Sequence, residues 1–318
     1  MRVFQIILSL TLLLASFGYG IGVGKYNWFP IEELRLIKIV LYNAVSNEVH
    51  SATEIELANV SNRLLPDDAL KLRKMLLKSI VPTNKIDVHI KSKANFEVFE
   101  TTYYGVTIKG EFYRAIEHRN CLRVYLQGHG GNPNNFAYYN QLREMFLNDG
   151  CDVLSLSMLG LGFNEGSTSF PSQLGILNLS PTQASNHGNY SFFFDKTNPE
   201  LDPLSLFLYP HMRLINNALE LAQYKDVAVL GISGGGWYTV WLAALMPELK
   251  LSLSYAGSLP LAYRIDRKHH GDWEQVYSQL YNSVTYLELY KLMLIDNRGN
   301  PTRKAYLVYN DKDPCCFS

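Results

Sequence analysis

The chain has 318 residues, 47% of them hydrophobic and 18% charged, enough apolar material for one large domain, or one domain with a small appendage. Lys plus Arg and Asp plus Glu both number 29, so the net charge is zero. No basic stripe is available to neutralise phosphates, and no nucleic-acid partner is expected.

Met1 and Arg2 precede an uncharged apolar run at 3–17, and apolar character continues to Val23. One positive residue before such a run is how an export signal opens. The run is long enough to span a bilayer, and Lys25, Tyr26 and Trp28 suit interfacial anchors. Residues 1–28 are therefore expected to form a signal anchor, with a cleaved signal peptide as the alternative. The first places the remainder at the cell membrane on its outer, periplasmic side; the second makes it secreted. Residues 29–84 read as a helical stalk or small cap. Pro66-Asp67-Asp68 opens a helix over 69–78, with proline and acids in the first turn.

Residues 85–91 alternate polar and apolar, as a half-buried strand does. Residues 102–114 read as a second strand, or a hairpin broken at Gly105. The apolar run 121–127 enters Gly128-His129-Gly130-Gly131-Asn132. A strand delivering His-Gly-Gly into a loop offers backbone N–H groups to an oxyanion, and Gly131 is the candidate donor, with Gly130 or Asn132 as the alternatives. His129 is expected to bond its own loop. Residues 136–148 have helical spacing, and 153–157 form the next strand. The polar stretch 166–202 reads as a long functional loop or lid. Helical spacing returns at 204–223, with its start expected near Pro210.

Residues 227–230 (VAVL) run into Gly231-Ile232-Ser233-Gly234-Gly235-Gly236 and then a helical segment. A strand, a turn too tight for side chains and a helix give G-x-S-x-G its meaning: Ser233 sits exposed on a strained elbow, with the Gly234 N–H at the oxyanion. Strands at 249–256 and 304–310 flank a long insertion at about 260–297, expected to be a cap. The last strand delivers Asp311-Lys312-Asp313-Pro314. A triad needs a carboxylate to orient its imidazole, and Asp313 is the first choice, ahead of Asp311 and then Asp266 or Asp272. All eight histidines (His50, His89, His118, His129, His187, His211, His269 and His270) precede Asp313. In the order Ser…Asp…His the base follows the acid. The sequence is therefore expected to be truncated, without its base, final strand and final helix. A base from the cap (His269 or His270), or a non-catalytic protein, are the alternatives.

Cys121 and Cys151 each stand just before an apolar strand. If those strands are parallel neighbours, the two thiols share one end of a sheet and can bridge, which suits an oxidising compartment. Two buried free thiols are the alternative. No C-x-x-C pair, H-x-x-x-H helix or other ligand cluster is present, so no metal or cofactor is expected.

With QGHGG at 127–131, GISGGGW at 231–237 and NDKDP at 310–314 in this order, the sequence resembles the α/β-hydrolase superfamily over about 85–318. It also looks like an exported, membrane-anchored bacterial subgroup whose acid turn is written DPCC. The resemblance implies a mostly parallel central sheet flanked by helices. It also implies Ser233 as nucleophile, Asp313 as acid, oxyanion N–H groups from Gly131 and Gly234, and a late histidine that this sequence lacks. The expected activity is hydrolysis of a small-molecule carboxylic ester or acylated compound through an acyl-enzyme. A peptidase or amidase on the same fold, and an anchored binding module, are the alternatives.

Overall fold

The computed structural model describes residues 66–172, 175–188, 190, 203–264 and 271–310. The expected signal anchor and stalk up to residue 65, Asp266, His269, His270, and the tail from Asp311 with Asp313, Cys315 and Cys316 lie outside the described residues. The chain divides after His50, and every described residue belongs to the second part.

Helix α1 (Pro66–Ile80) comes first, burying Ala69, Leu76 and Ile80. Three antiparallel strands follow: β1 (His89–Ser92), β2 (Glu97–Tyr103) and β3 (Val106–Tyr113). Tyr104 and Gly105 turn β2 into β3 with φ of 49° and 77°. Positive φ at both positions matches the strand twist of a two-residue hairpin. Then come β4 (Cys121–Gln127), α2 (Ala137–Asn148) and β5 (Cys151–Ser157). A small separate hairpin, β6 (Thr168–Ser172) and β7 (Gly175–Leu179), leads to the short α3 (Pro181–Ala184). Next are α4 (Pro203–Leu221), β8 (Asp226–Ile232), α5 (Gly234–Leu245) and β9 (Leu251–Tyr255). Three helices, α6 (Trp273–Val276), α7 (Ser278–Tyr281) and α8 (Tyr286–Leu294), precede β10 (Lys304–Val308).

Among the described residues, eight strands share one sheet in the order β1-β2-β3-β5-β4-β8-β9-β10. From β5 to β10 every neighbour is parallel. β5 is buried at all seven positions and β4 at six of seven, the mark of strands covered on both faces. The chain steps from β4 outward to β5, then crosses back to β8 on the other side of β4. Such a reversal opens a crevice at the carboxyl ends of the strands, where α/β sheets place their sites. At the opposite end Cys121 pairs with Cys151 in register, and the two form a disulfide. The parallel neighbourhood on which that bridge depended is present.

Two segments depart from the sequence reading. The stretch 166–202, read as an irregular loop, contains β6, β7 and α3; Pro171 inside β6 and the shortness of both strands mask their alternation. Helix α4 begins at Pro203 and runs through Pro210. Proline at a first helical position needs no N–H partner, so Pro203 is the start signal. Leu204, Leu206, Phe207 and Leu208 are fully buried and carry the helix across the missing bond at Pro210.

Helix α1, expected in an N-terminal appendage, is tied into the sheet domain by Arg73. Its guanidinium donates to the carbonyls of Ala244, Leu292, Ile295 and Asp296 at 2.7–2.8 Å. Arg303 does the same for Leu249, Ala243, Met246, Leu292 and Ile295 at 2.7–3.2 Å. The last turns of α5 and α8 leave carbonyls without helical partners, and two buried guanidiniums supply the donors. Burial, with Arg73 alongside, lowers Arg303 to about 10, which leaves it charged at neutral pH.

Candidate active site

Ser233 links β8 to α5 with φ 54° and ψ −128°. A residue with a Cβ adopts this backbone only where its surroundings hold it, and such strain clusters at functional sites. Here the holding is explicit. The Ser233 N–H donates to Tyr255 O on β9 at 2.8 Å, and its carbonyl accepts from Gly236 and Trp237 at 2.8 and 3.2 Å. A Cβ on Gly235 would strike the Leu126 carbonyl of β4, so only glycine lets α5 start this close to the sheet. The Gly234 N–H, first in the helix, has no helical acceptor. The Ser233 hydroxyl has no hydrogen-bond partner among the described residues.

The turn after β4 lies against this elbow. A Cβ built on Gly128 would come within 2.8 Å of Ser233 Cβ and 3.1 Å of the Gly234 nitrogen. Gln127 anchors the turn from below, accepting from Tyr125 at 2.6 Å and from Tyr138 at 3.1 Å. Gly131, with φ 89°, donates its N–H to Gly128 O at 3.2 Å and so closes the turn on itself. The neighbouring His129 N–H makes no hydrogen bond among the described residues. The structure therefore brings Ser233, Gly234 and the 128–131 turn together. It describes Asn310, the residue after which the tail to Asp313 begins, at the same carboxyl edge, its Oδ1 2.5 Å from the Tyr255 hydroxyl. Asp313 itself lies outside the described residues.

The loop leaving β5 closes a third side. Asn164 donates to Ser157 O and Met158 O at 2.8 and 2.9 Å and accepts from the Lys109 N–H at 2.7 Å. This fixes Met158 over Gly234. Leu159 is held at both backbone groups: its N–H donates to the Tyr238 hydroxyl at 3.3 Å, and its carbonyl faces His187 Nε2 at 2.8 Å.

Two histidine–carboxylate pairs stand beside the elbow. The His187 Nδ1 is 2.9 Å from Glu274 Oε1, with both side chains fully buried. Both ring nitrogens of His187 face acceptors, and the carboxylate among them favours the imidazolium. Burial pulls its pKa down, but the Glu274 charge and hydrogen bond override this and raise it to about 9. The exposed His129 places Nε2 2.8 Å from Asp272 Oδ2. Asp272 is held below the usual carboxylate range: burial opposes the shift, and the hydrogen bond and charge of His129 outweigh it. The His129 ring lies against Gly234, with Cε1 3.1 Å from where a Cβ would stand. His129 thus pairs with the insertion and not with its own loop. The two imidazole centroids are 5.6 Å apart.

Aromatic packing carries the insertion onto α5. Trp237 and Trp241 donate to the Tyr281 hydroxyl at 2.9 and 3.3 Å, Tyr281 donates to Tyr286 at 2.8 Å, and Tyr286 donates to Gln275 O at 2.8 Å. Every hydroxyl in this buried chain has an acceptor. Phe207 of α4 meets both Trp237 and Trp273.

No family model and no curated protein matches the sequence. Solved structures match the fold. A methylesterase superposes with TM-score 0.51 at 15% identity, covering 83% of this chain and 56% of its own. A protein described as a candidate acetyl xylan esterase from Bacteroides fragilis gives 0.50 at 12% identity, covering 76% of this chain and 68% of its own. Acetyl xylan esterase 1 from Thermoanaerobacterium sp. gives 0.48 at 15% identity, covering 78% and 88%. The fold is that of the α/β-hydrolases, as the resemblance implied.

Proposed function

We propose that this chain is a serine hydrolase acting on a carboxylic ester, with Ser233 as the nucleophile. The observation that carries the reading is the strained Ser233 backbone, φ 54° and ψ −128°, held at the head of α5 with its hydroxyl unbonded among the described residues. Strain of this kind lifts the hydroxyl out of the sheet and aims the first helical N–H at the same point. The hydroxyl attacks the ester carbonyl, and the alcohol leaves as an acyl-enzyme forms; water then releases the acid. The Gly234 N–H is one oxyanion donor. We assign the second to the His129 N–H, unbonded among the described residues, in place of Gly131, whose N–H is tied to Gly128 O.

The proton passes to a histidine outside the described residues, oriented by Asp313. His187 is not that base, since acceptors face both its nitrogens, and the Nε2 of His129 is engaged by Asp272. The ester class is also the one named for two fold neighbours, a methylesterase and a candidate acetyl xylan esterase. In this reading residues 1–28 are a membrane anchor with the domain outside the cytoplasm, and the Cys121–Cys151 bridge suits that compartment. A fluorophosphonate probe, read by peptide mass spectrometry, should label Ser233, and Ser233→Ala should abolish labelling. Absent labelling, or labelling that persists in the alanine variant, would overturn the nucleophile assignment.

A further inference from the structure

Three segments far apart in the sequence converge over the elbow. His129 comes from the turn after β4, His187 from the loop after α3, and Asp272 from the insertion ahead of α6. One ligand atom from each lies within 4.8 Å of the other two. Around a tetrahedral zinc ion with bonds of about 2.0–2.1 Å, neighbouring ligand atoms are about 3.3 Å apart. His129 Nε2 and Asp272 Oδ2 already lie 2.8 Å apart, and the distances to His187 need to close by at most about 1.5 Å for the three to share one ion.

The electrostatics point the same way. Among the described residues, Asp272 and Glu274 have no ion-pair partner other than these two imidazoles. Glu274 is completely buried, and its Oε2 has no hydrogen-bond partner among the described residues. A buried carboxylate oxygen left unpaired is costly, and a nearby cation relieves it. Glu274 also holds His187 at Nδ1, which leaves Nε2, now on the Leu159 carbonyl, as the nitrogen to offer an ion. A carboxylate behind the far nitrogen is the usual support for a metal-binding histidine.

We propose that His129 Nε2, His187 Nε2 and Asp272 form a site for a first-row divalent cation of the zinc class. Glu274 is the outer carboxylate, and His187 releases its Nε2 proton to solvent and exchanges the Leu159 carbonyl for the ion. Two imidazoles and one carboxylate leave at least one coordination position open. The ion sits over Gly234 and pins the insertion to the turn after β4. It therefore obstructs the approach of an acyl group to Ser233, an effect that rests on the hydrolase reading above.

Cobalt(II) absorption in the visible tests the binding without reference to activity. The full chain should take up one Co²⁺, displaced by one Zn²⁺. His129→Gln and Asp272→Asn should each weaken uptake by ~100-fold or more, and Glu274→Gln by ~10–100-fold. His89→Gln, on an exposed strand, should leave it unchanged, and circular dichroism checks that each variant is folded. No cobalt spectrum, or one indifferent to both His129→Gln and Asp272→Asn, would overturn the site. In parallel, Zn²⁺ should slow fluorophosphonate labelling of Ser233 in the parent and not in Asp272→Asn. If zinc binds and labelling is unaffected, the placement over the elbow is wrong. If Ser233 never labels with or without zinc, the hydrolase reading fails while the cobalt spectrum still decides the site.

Discussion

His211 is fully buried in α4, with Nδ1 2.7 Å from Phe207 O and Nε2 2.9 Å from Ser157 O. Burial pushes it down to about 4. In the unfolded chain it takes a proton below about 6.5. Between these values the unfolded state binds more protons, so stability falls as pH drops from about 6.5 towards 4, by up to about 3 kcal/mol. His211→Asn removes that loss. Urea midpoints at about pH 7 and about pH 5 should lie closer together in the variant than in the parent. Equal spacing in both proteins would count against His211 as the cause. Other residues differ in how far the sequence reveals them. Ser233 is legible because its signal is local: glycines on either side and a strand before it. The pairing of His187 with Glu274 spans 87 residues and leaves no trace in either neighbourhood. No ligand cluster is visible in the sequence for the same reason, since folding alone brings His129, His187 and Asp272 together.

Helix ends, more than helix interiors, decide how α1, α5 and α8 meet. Arg303 serves carbonyls of both α5 and α8, and a planar fork with five N–H groups is what such a site requires. Arg303→Met should destabilise the protein by about 3 kcal/mol or more, because buried carbonyls lose charged donors. Arg303→Lys should recover little, as a point charge cannot reach separate acceptors at once. Denaturant unfolding of the two variants beside the parent checks both outcomes. These clamps were not readable beforehand, since an arginine in sequence looks like a surface residue. The helices themselves were mostly readable from spacing. Where α4 begins is not, because the burial that places its start at Pro203, ahead of Pro210, is tertiary. The β6–β7 hairpin was hidden for the opposite reason: its two strands are short, one carries a proline, and it stands outside the main sheet.

At the scale of the whole molecule, the alternation of strands and helices already implied a parallel sheet with helices on both faces. The order of the strands did not follow from it. Placing β4 between β5 and β8 sets the 128–131 turn beside Ser233, and only the register establishes that. The same register sets Cys121 against Cys151 at the other end. The bridge closes a loop with a sequence separation of 30, worth about 3–4 kcal/mol through the unfolded state. Replacing both cysteines with alanine should lower unfolding stability by about that amount, read by the urea midpoint; no change would mean the bridge does not constrain the unfolded chain. The bridge also makes residues 121–151 a covalent ring that holds β4, the turn over the nucleophile and α2. A single break of the backbone anywhere inside that ring leaves one molecule, with both halves still joined beneath the sheet.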